Sequence, residues 1–219
     1  MIRMKNILLT GFTYYGSYYY NPSEEAIEVF NETIFMKKYR VVGVKLPVSH
    51  SRASKLLMRY LEKYKPDLVI GLGLSPRIRE LVLELVATNI VHHETPDIDG
   101  ETKWIEYIEG EELKVLHTRL PYKVILKECR KKRSLPITIN TSIGQYLCNH
   151  IAYLIHKYSW KKHKIGGFIH IPPHTRLALR NKLTNYQPFN TITDTLKCII
   201  ETTLNTMIEE ANSYLPKKK

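Results

Sequence analysis

At 219 residues, with 43% hydrophobic and 25% charged residues, the chain has a globular composition and the length of one domain spanning 1–219. No apolar run reaches the roughly 18 residues a membrane helix needs, and the start, Met1-Ile2-Arg3-Met4-Lys5-Asn6, lacks a signal-peptide pattern, so a cytoplasmic location and no membrane partner are expected. The net charge of +12 gathers in clusters at 127–133, 161–164 and 217–219; none is interleaved with aromatics, so they read as solvated helix ends and a tail, with nucleic acid not expected as a partner.

Lys5 to Thr10 reads as a buried strand ending at Gly11, and Asn21-Pro22-Ser23 opens a helix through Phe30 with proline in its first turn. Tyr39 to Lys45 is a second strand, stopped by Pro47. From Ser49 to Tyr64 the apolar residues Ala53, Leu56, Leu57, Tyr60 and Leu61 fall at helical spacing. Pro66-Asp67 ends that helix, and Leu68 to Gly73 is a third strand with a glycine-rich exit. Glu80 to Val91 takes the strand reading because Val82, Val86, Thr88, Ile90 and Val91 are β-branched. Pro96-Asp97-Ile98-Asp99-Gly100 is a turn. Beyond it, Leu113–Leu120 reads as strand, Tyr122–Lys132 as helix and Ile137–Asn140 as strand. Gln145–Tyr158 follows as helix, Gly167–Ile171 as strand and Thr193–Tyr214 as a long terminal helix. This alternation predicts a three-layer α/β/α sandwich around a mostly parallel, partly mixed sheet, with any site at the carboxyl ends of the strands.

Cys148 stands near the start of a predicted helix that follows a strand. The partial positive charge at a helix start favours a thiolate, the nucleophilic form of cysteine. His170 ends the strand Gly167–Ile171, so a cysteine and a histidine at neighbouring strand ends supply the parts of a cysteine hydrolase. Cys129 and Cys198, both on predicted helices, read as small buried hydrophobes, with pairing across a subunit contact as the alternative for Cys198. Three scattered cysteines make neither a disulfide framework nor a metal-ligand pattern. His92, His93, His117, His150, His163 and His174 lack metal spacing and read as surface residues. Glu84 in an apolar strand is either edge-exposed or a partnered buried carboxylate.

Ordered motifs run over residues 5 to 210. Thr10-Gly11-Phe12 through Gly16 with Asn21-Pro22-Ser23, Leu46-Pro47-Val48 and Gly73-Leu74-Ser75-Pro76 come first. Glu84 with Ala87 and Asn89, the turn 96–100, Thr118-Arg119-Leu120-Pro121, Gly144-Gln145-Tyr146-Leu147-Cys148-Asn149 and Gly167-Phe168-Ile169-His170-Ile171-Pro172 follow. In that order they resemble pyroglutamyl peptidase I, cysteine peptidase family C15. The resemblance implies a Glu84/Cys148/His170 triad acting through an acyl-enzyme, and a lactam pocket using Phe12, Tyr15, Asn21 and Leu74. It also implies a peptide substrate with an N-terminal pyroglutamate, no cofactor or metal, and a homodimer or homotetramer. The segment Phe12 to Tyr20 carries six aromatic residues. Departures fall around the triad: Tyr14-Tyr15-Gly16-Ser17 replaces the family's P-F-G-G, and Glu94 stands where an arginine near the oxyanion is usual. Two alternatives stay open: the same triad acting on another N-terminal cap or small amide, or a non-enzymatic basic protein that binds nucleic acid.

Overall fold

The computed structural model describes residues 4–16 and 18–213. Seven strands form one sheet: β1 (Lys5–Phe12), β2 (Ile34–Phe35), β3 (Tyr39–Leu46), β4 (Leu68–Leu74), β5 (Leu81–Glu84), β10 (Ile137–Asn140) and β11 (Ile165–Ile171). Their order is β10-β5-β11-β4-β1-β3-β2. The central neighbours β11, β4, β1 and β3 run parallel, while β5 is antiparallel to β11 and β2 to β3. Burial on both faces explains why β4, Leu-Val-Ile-Gly-Leu-Gly-Leu, is a continuous apolar run rather than an alternating one.

Side-chain alternation sends each strand's residues to two cores. Ile7 and Leu9 of β1 with Leu68, Ile70 and Leu72 of β4 pack under helices α1 (Pro22–Phe30), α3 (Tyr122–Ile125) and α6 (Phe189–Ser213). Leu8, Val69 and Phe168 face the other way, under α2 (His50–Tyr64) and α4 (Leu147–Lys162). This is the mixed sheet between two helical layers that the alternation predicts. The helix starts follow from their caps: Asn21 Oδ1 accepts from Ser23 N at 3.0 Å, and Ser49 Oγ from Arg52 N at 3.1 Å. Among the described residues no helix is long and apolar enough to cross a membrane.

Several elements differ from expectation. The stretch 80–91 breaks into β5, β6 (Val86–Thr88) and β7 (Ile90–His93), and only β5 joins the main sheet. β6 pairs with β9 (Val115–His117), the shortened form of the strand expected over 113–120, and β7 pairs with β8 (Lys103–Tyr107). The helix expected from 122 to 132 is α-helical for one turn and then π-helical over Leu126–Lys132. β2, β8 and α5 (Thr175–Asn181) were not expected. The end of the terminal helix at Tyr214 and the lysines at 217–219 lie outside the described residues.

The reading of Cys129 and Cys198 is corrected: they form a disulfide, with Cα atoms 6.0 Å apart. Both are buried, one on the π-helical segment and one on α6, where those two elements pack together. Their separation of 69 residues along the chain gives no local cue to the pairing. A cross-link closing a loop of that length lowers denatured-state entropy by the equivalent of about 4 kcal/mol. Replacing both cysteines with alanine is therefore expected to lower unfolding free energy by about that amount, read from urea denaturation.

Candidate active site

The register of three strands assembles the site. β5 runs antiparallel to β11 with Phe168 opposite Glu84 and His170 opposite Val82, so Glu84 and His170 are diagonal neighbours on one face. His170 Nδ1 donates to Glu84 Oε1 at 2.7 Å. Parallel pairing of β10 with β5 sets Asn140 beside Glu84, and Asn140 Nδ2 donates to Glu84 Oε2 at 3.1 Å and to the Ser142 carbonyl at 2.8 Å. Glu84 is 2% exposed and both its oxygens are engaged, which makes it the partnered buried carboxylate of the two alternatives.

On the other side His170 lies opposite Gly73 of β4. A Cβ on Gly73 would sit 2.8 Å from Cys148 Sγ, so this glycine leaves the room the thiol occupies. Cys148 is the second residue of α4 and the free cysteine among the described residues. Burial alone would lower the His170 pKa, but the charge of Cys148, its hydrogen bond with the imidazole, and Glu84 together raise it to about 10. The imidazole thus carries its proton at neutral pH, held between a sulfur and a carboxylate.

Asn149 fastens α4 to the rest of the site. Fully buried, it donates to the Thr88 and Ile90 carbonyls at 2.9 and 2.7 Å and accepts from Thr88 N at 2.8 Å. Asn89, also fully buried, clamps Glu109 and Glu112 in the same way. Tyr146 caps α4 without a side-chain hydrogen bond, so no side chain takes up the first-turn N–H groups beside Cys148.

A cavity of about 200 Å³ opens onto Cys148. Phe12, Tyr15, Asn21 and Leu74 all line it, brought together from the carboxyl ends of β1 and β4 and the loop after β1. Asn21 is also a structural residue: its Oδ1 caps α1 and its Nδ2 donates to the Thr13 carbonyl at 3.1 Å. The Tyr15 hydroxyl donates to the Pro96 carbonyl, tying the aromatic loop to the 96–100 turn. Three backbone N–H groups, from His50, Asp99 and Glu101, converge on the buried Asp97 of that turn. Burial pushes the Asp97 carboxyl up, and those donors outweigh it and hold the group below its usual range. Glu94 is solvent-exposed and does not line the cavity.

Residues that sequence reasoning passed over complete the wall: Tyr18, Val48, Pro76, Tyr146 and Leu147. Tyr146 carried a signal, being an aromatic two residues before Cys148. Burial first, then Tyr15, Asp97 and Cys148, push its hydroxyl up to about 12. The surface reading of the histidines is corrected for two of them, since His93 is 8% and His174 is 3% exposed. His93 stacks flat on His50 at 4.6 Å between ring centroids, and both meet the Tyr146 ring edge-on. His50 Nδ1 lies 3.0 Å from His150 Nδ1. His174 caps α5 through Leu177 N and reaches Glu25 at 2.8 Å. Lone histidines gave no hint of this stacking, which depends on bringing α2, β7 and α4 together.

Comparison with known proteins agrees with the architecture. The family model described as pyroglutamyl peptidase matches residues 5–206. The pyrrolidone-carboxylate peptidase of Thermococcus litoralis is 37% identical over 171 residues, 77% of each chain. That of Brachyspira hyodysenteriae is 34% identical over 200 residues, 90% of this chain and 98% of its own. The solved structure of the Thermococcus litoralis pyrrolidone carboxyl peptidase superposes with a TM-score of 0.88 at 31% identity, covering 94% of this chain and 96% of that one. On sequence and fold together, the chain belongs to the pyroglutamyl peptidase family of cysteine peptidases.

Proposed function

We propose that this enzyme removes N-terminal pyroglutamate from peptides, with Cys148 as nucleophile, His170 as proton carrier and Glu84 as the group that orients and stabilises the imidazolium. The supporting observation is the continuous contact Glu84–His170–Cys148 opening onto a small, mainly apolar and aromatic cavity. A flat, uncharged lactam suits such walls, and the small volume of about 200 Å³ disfavours a longer side chain.

The raised His170 pKa sets the order of events. A protonated imidazole in contact with the sulfur favours the thiolate, the form that attacks, and keeps a proton ready for the leaving amine. The thiolate attacks the carbonyl carbon, and the carbonyl π pair moves to oxygen. N–H groups at the start of α4, Cys148 among them, stabilise that oxyanion. The tetrahedral species collapses, the C–N pair leaves with the amine, and His170 gives the amine its proton. Neutral His170 then takes a proton from water, hydroxide attacks the thioester, and the thiolate leaves as pyroglutamate is released.

The test compares a pyroglutamyl fluorogenic amide with alanyl and glutamyl analogues under reducing conditions. Selective hydrolysis of the pyroglutamyl compound is expected. Rapid alkylation of Cys148 at neutral pH without that hydrolysis would instead assign the triad to another N-terminal cap. Because His170 must be protonated to release the amine, kcat/KM should hold through neutral pH and fall as pH passes toward 10, measured over pH 7 to 10.5.

A further inference from the structure

A second cavity, of about 1620 Å³, is far from Cys148. It is lined by Lys5 and Asn6 at the start of β1, by Asp67 just before β4, by Lys164 just before β11, and by the carboxyl-terminal ends of α2 and α4. The Cys148 cavity lies at the other ends of β1 and β4, so the length of β1, about 23 Å, separates the two. Eight of the sixteen lining residues are lysine or arginine against Glu62 and Asp67, a surplus of six charges and half of the chain's +12. Of the sequence clusters only 161–164 contributes, through Lys162 and Lys164; the charges come from four separate segments of chain, and the peptidase chemistry does not account for them.

The charge is not neutralised within the fold. Asp67 is shared by Lys5 and Lys164 at 3.8 and 2.7 Å, whereas Lys55, Arg59, Lys63 and Lys162 have no carboxylate partner among the described residues. Lys55, Arg59 and Lys63 recur every four residues on exposed positions of α2, forming one stripe. Like charges at that spacing destabilise a helix, so the stripe is not explained by helix stability. The ends of α2 and α4 contribute about half an elementary negative charge each, which leaves the groove strongly positive. Between the basic side chains lie the Tyr64 and Tyr158 rings and the half-exposed Met58.

We infer that this groove binds a single-stranded nucleic acid, its phosphates on the α2 stripe and Lys162 and its bases against the tyrosine and methionine floor. The pairing of exposed basic groups with two partly exposed tyrosine rings and the exposed Met58 is what sequence-tolerant strand binding requires. The site works independently of Cys148, and both can be filled at once.

Fluorescence anisotropy with a labelled 20-nucleotide RNA, the DNA strand of the same sequence and its duplex tests this on the full chain. Micromolar binding of the single strands at 50 mM salt is expected, with log affinity falling linearly in log salt. The triple variant Lys55→Gln/Arg59→Gln/Lys63→Gln should lower the salt slope by about 2 and affinity on the order of 100-fold at 0.1 M salt. Its hydrolysis of the pyroglutamyl amide, or its Cys148 alkylation rate, should match wild type, which shows that the variant folds. A control with the same charge change on another face, Lys123→Gln/Lys127→Gln/Lys131→Gln, should bind as wild type does. Equal loss in both triple variants, tighter binding of duplex than of single strands, or no binding at 50 mM salt would each overturn the assignment.

Discussion

Replacing Glu84 with glutamine is expected to lower kcat/KM for a pyroglutamyl amide by about 10³ while leaving the fold intact. The reason lies in Asn140. Its Nδ2 already donates to the Ser142 carbonyl and to Glu84 Oε2, so it presents an N–H toward position 84. A glutamine there has one acceptor and one donor end. Turning its NH₂ toward Asn140 would set donor against donor, so the amide oxygen turns to Asn140 and the NH₂ to His170. The imidazole then needs a lone pair at Nδ1, the opposite of the arrangement that now donates to Glu84 at 2.7 Å. The carboxylate charge that helps to hold the imidazolium is lost in the same step. Stability changes little, because His170 can shed its proton and no buried charge is stranded. Steady-state kinetics with thermal melts of wild type, Glu84→Gln, Cys148→Ala and the double variant decide the matter. Cys148→Ala should be inactive, and the double variant no worse, since groups that act as a unit do not add. Retention of more than a tenth of wild-type activity by Glu84→Gln would remove Glu84 from the mechanism.

The central sheet was legible in sequence because its middle strands are buried on both faces, so β1, β4 and β11 announce themselves as short apolar runs closed by glycine or proline. The ordered motifs around Glu84, Cys148 and His170 could be read for the same reason: each sits at a strand or helix end, where local pattern is strongest. Features that depend on register or on distant pairing were not legible. Asn140 acquires its partner only when β10 pairs with β5, and Cys129 meets Cys198 only when a π-helical segment lies on α6. The basic groove is the clearest case. Its charges occupy positions 5, 38, 55–65 and 162–164, and no window of sequence shows more than a part of them. His93 and His174 were misread because a single imidazole in a polar stretch looks solvated, whereas His93 packs flat on His50 and His174 is buried as the cap of α5.

Burial of three histidines, His50, His150 and His156, makes the fold sensitive to acid. Burial, then the neighbouring His150 and His93, lower the His50 pKa to about 3. Burial with Lys103 lowers His150 to about 4, and burial lowers His156 to about 4. Asp97 pulls His50 the other way without reversing the shift. All three are therefore neutral in the folded protein and would protonate near 6.5 once unfolded. Between pH 6.5 and 4 the unfolded chain binds more protons, so stability falls as pH falls through that window and is unaffected above it. Each histidine contributes up to about 2.5 kcal/mol between pH 6.5 and 4.5, so the combined loss is on the order of 7 kcal/mol. Against a total of roughly 5–15 kcal/mol, that is enough to unfold the protein in mild acid. Because Tyr146 rests edge-on against His50 and His93, the wall of the reactive cavity should be lost first. Urea denaturation at pH 7.5 and 5.0 measures the effect. In His156→Asn the amide can still donate to the Leu116 carbonyl that His156 Nδ1 now meets at 3.0 Å, but it cannot titrate. That variant should flatten the pH dependence by about a third of the total. Unchanged stability of wild type between pH 7.5 and 5.0 would mean that the buried rings accept protons as readily as free histidine, and the packing argument would fail.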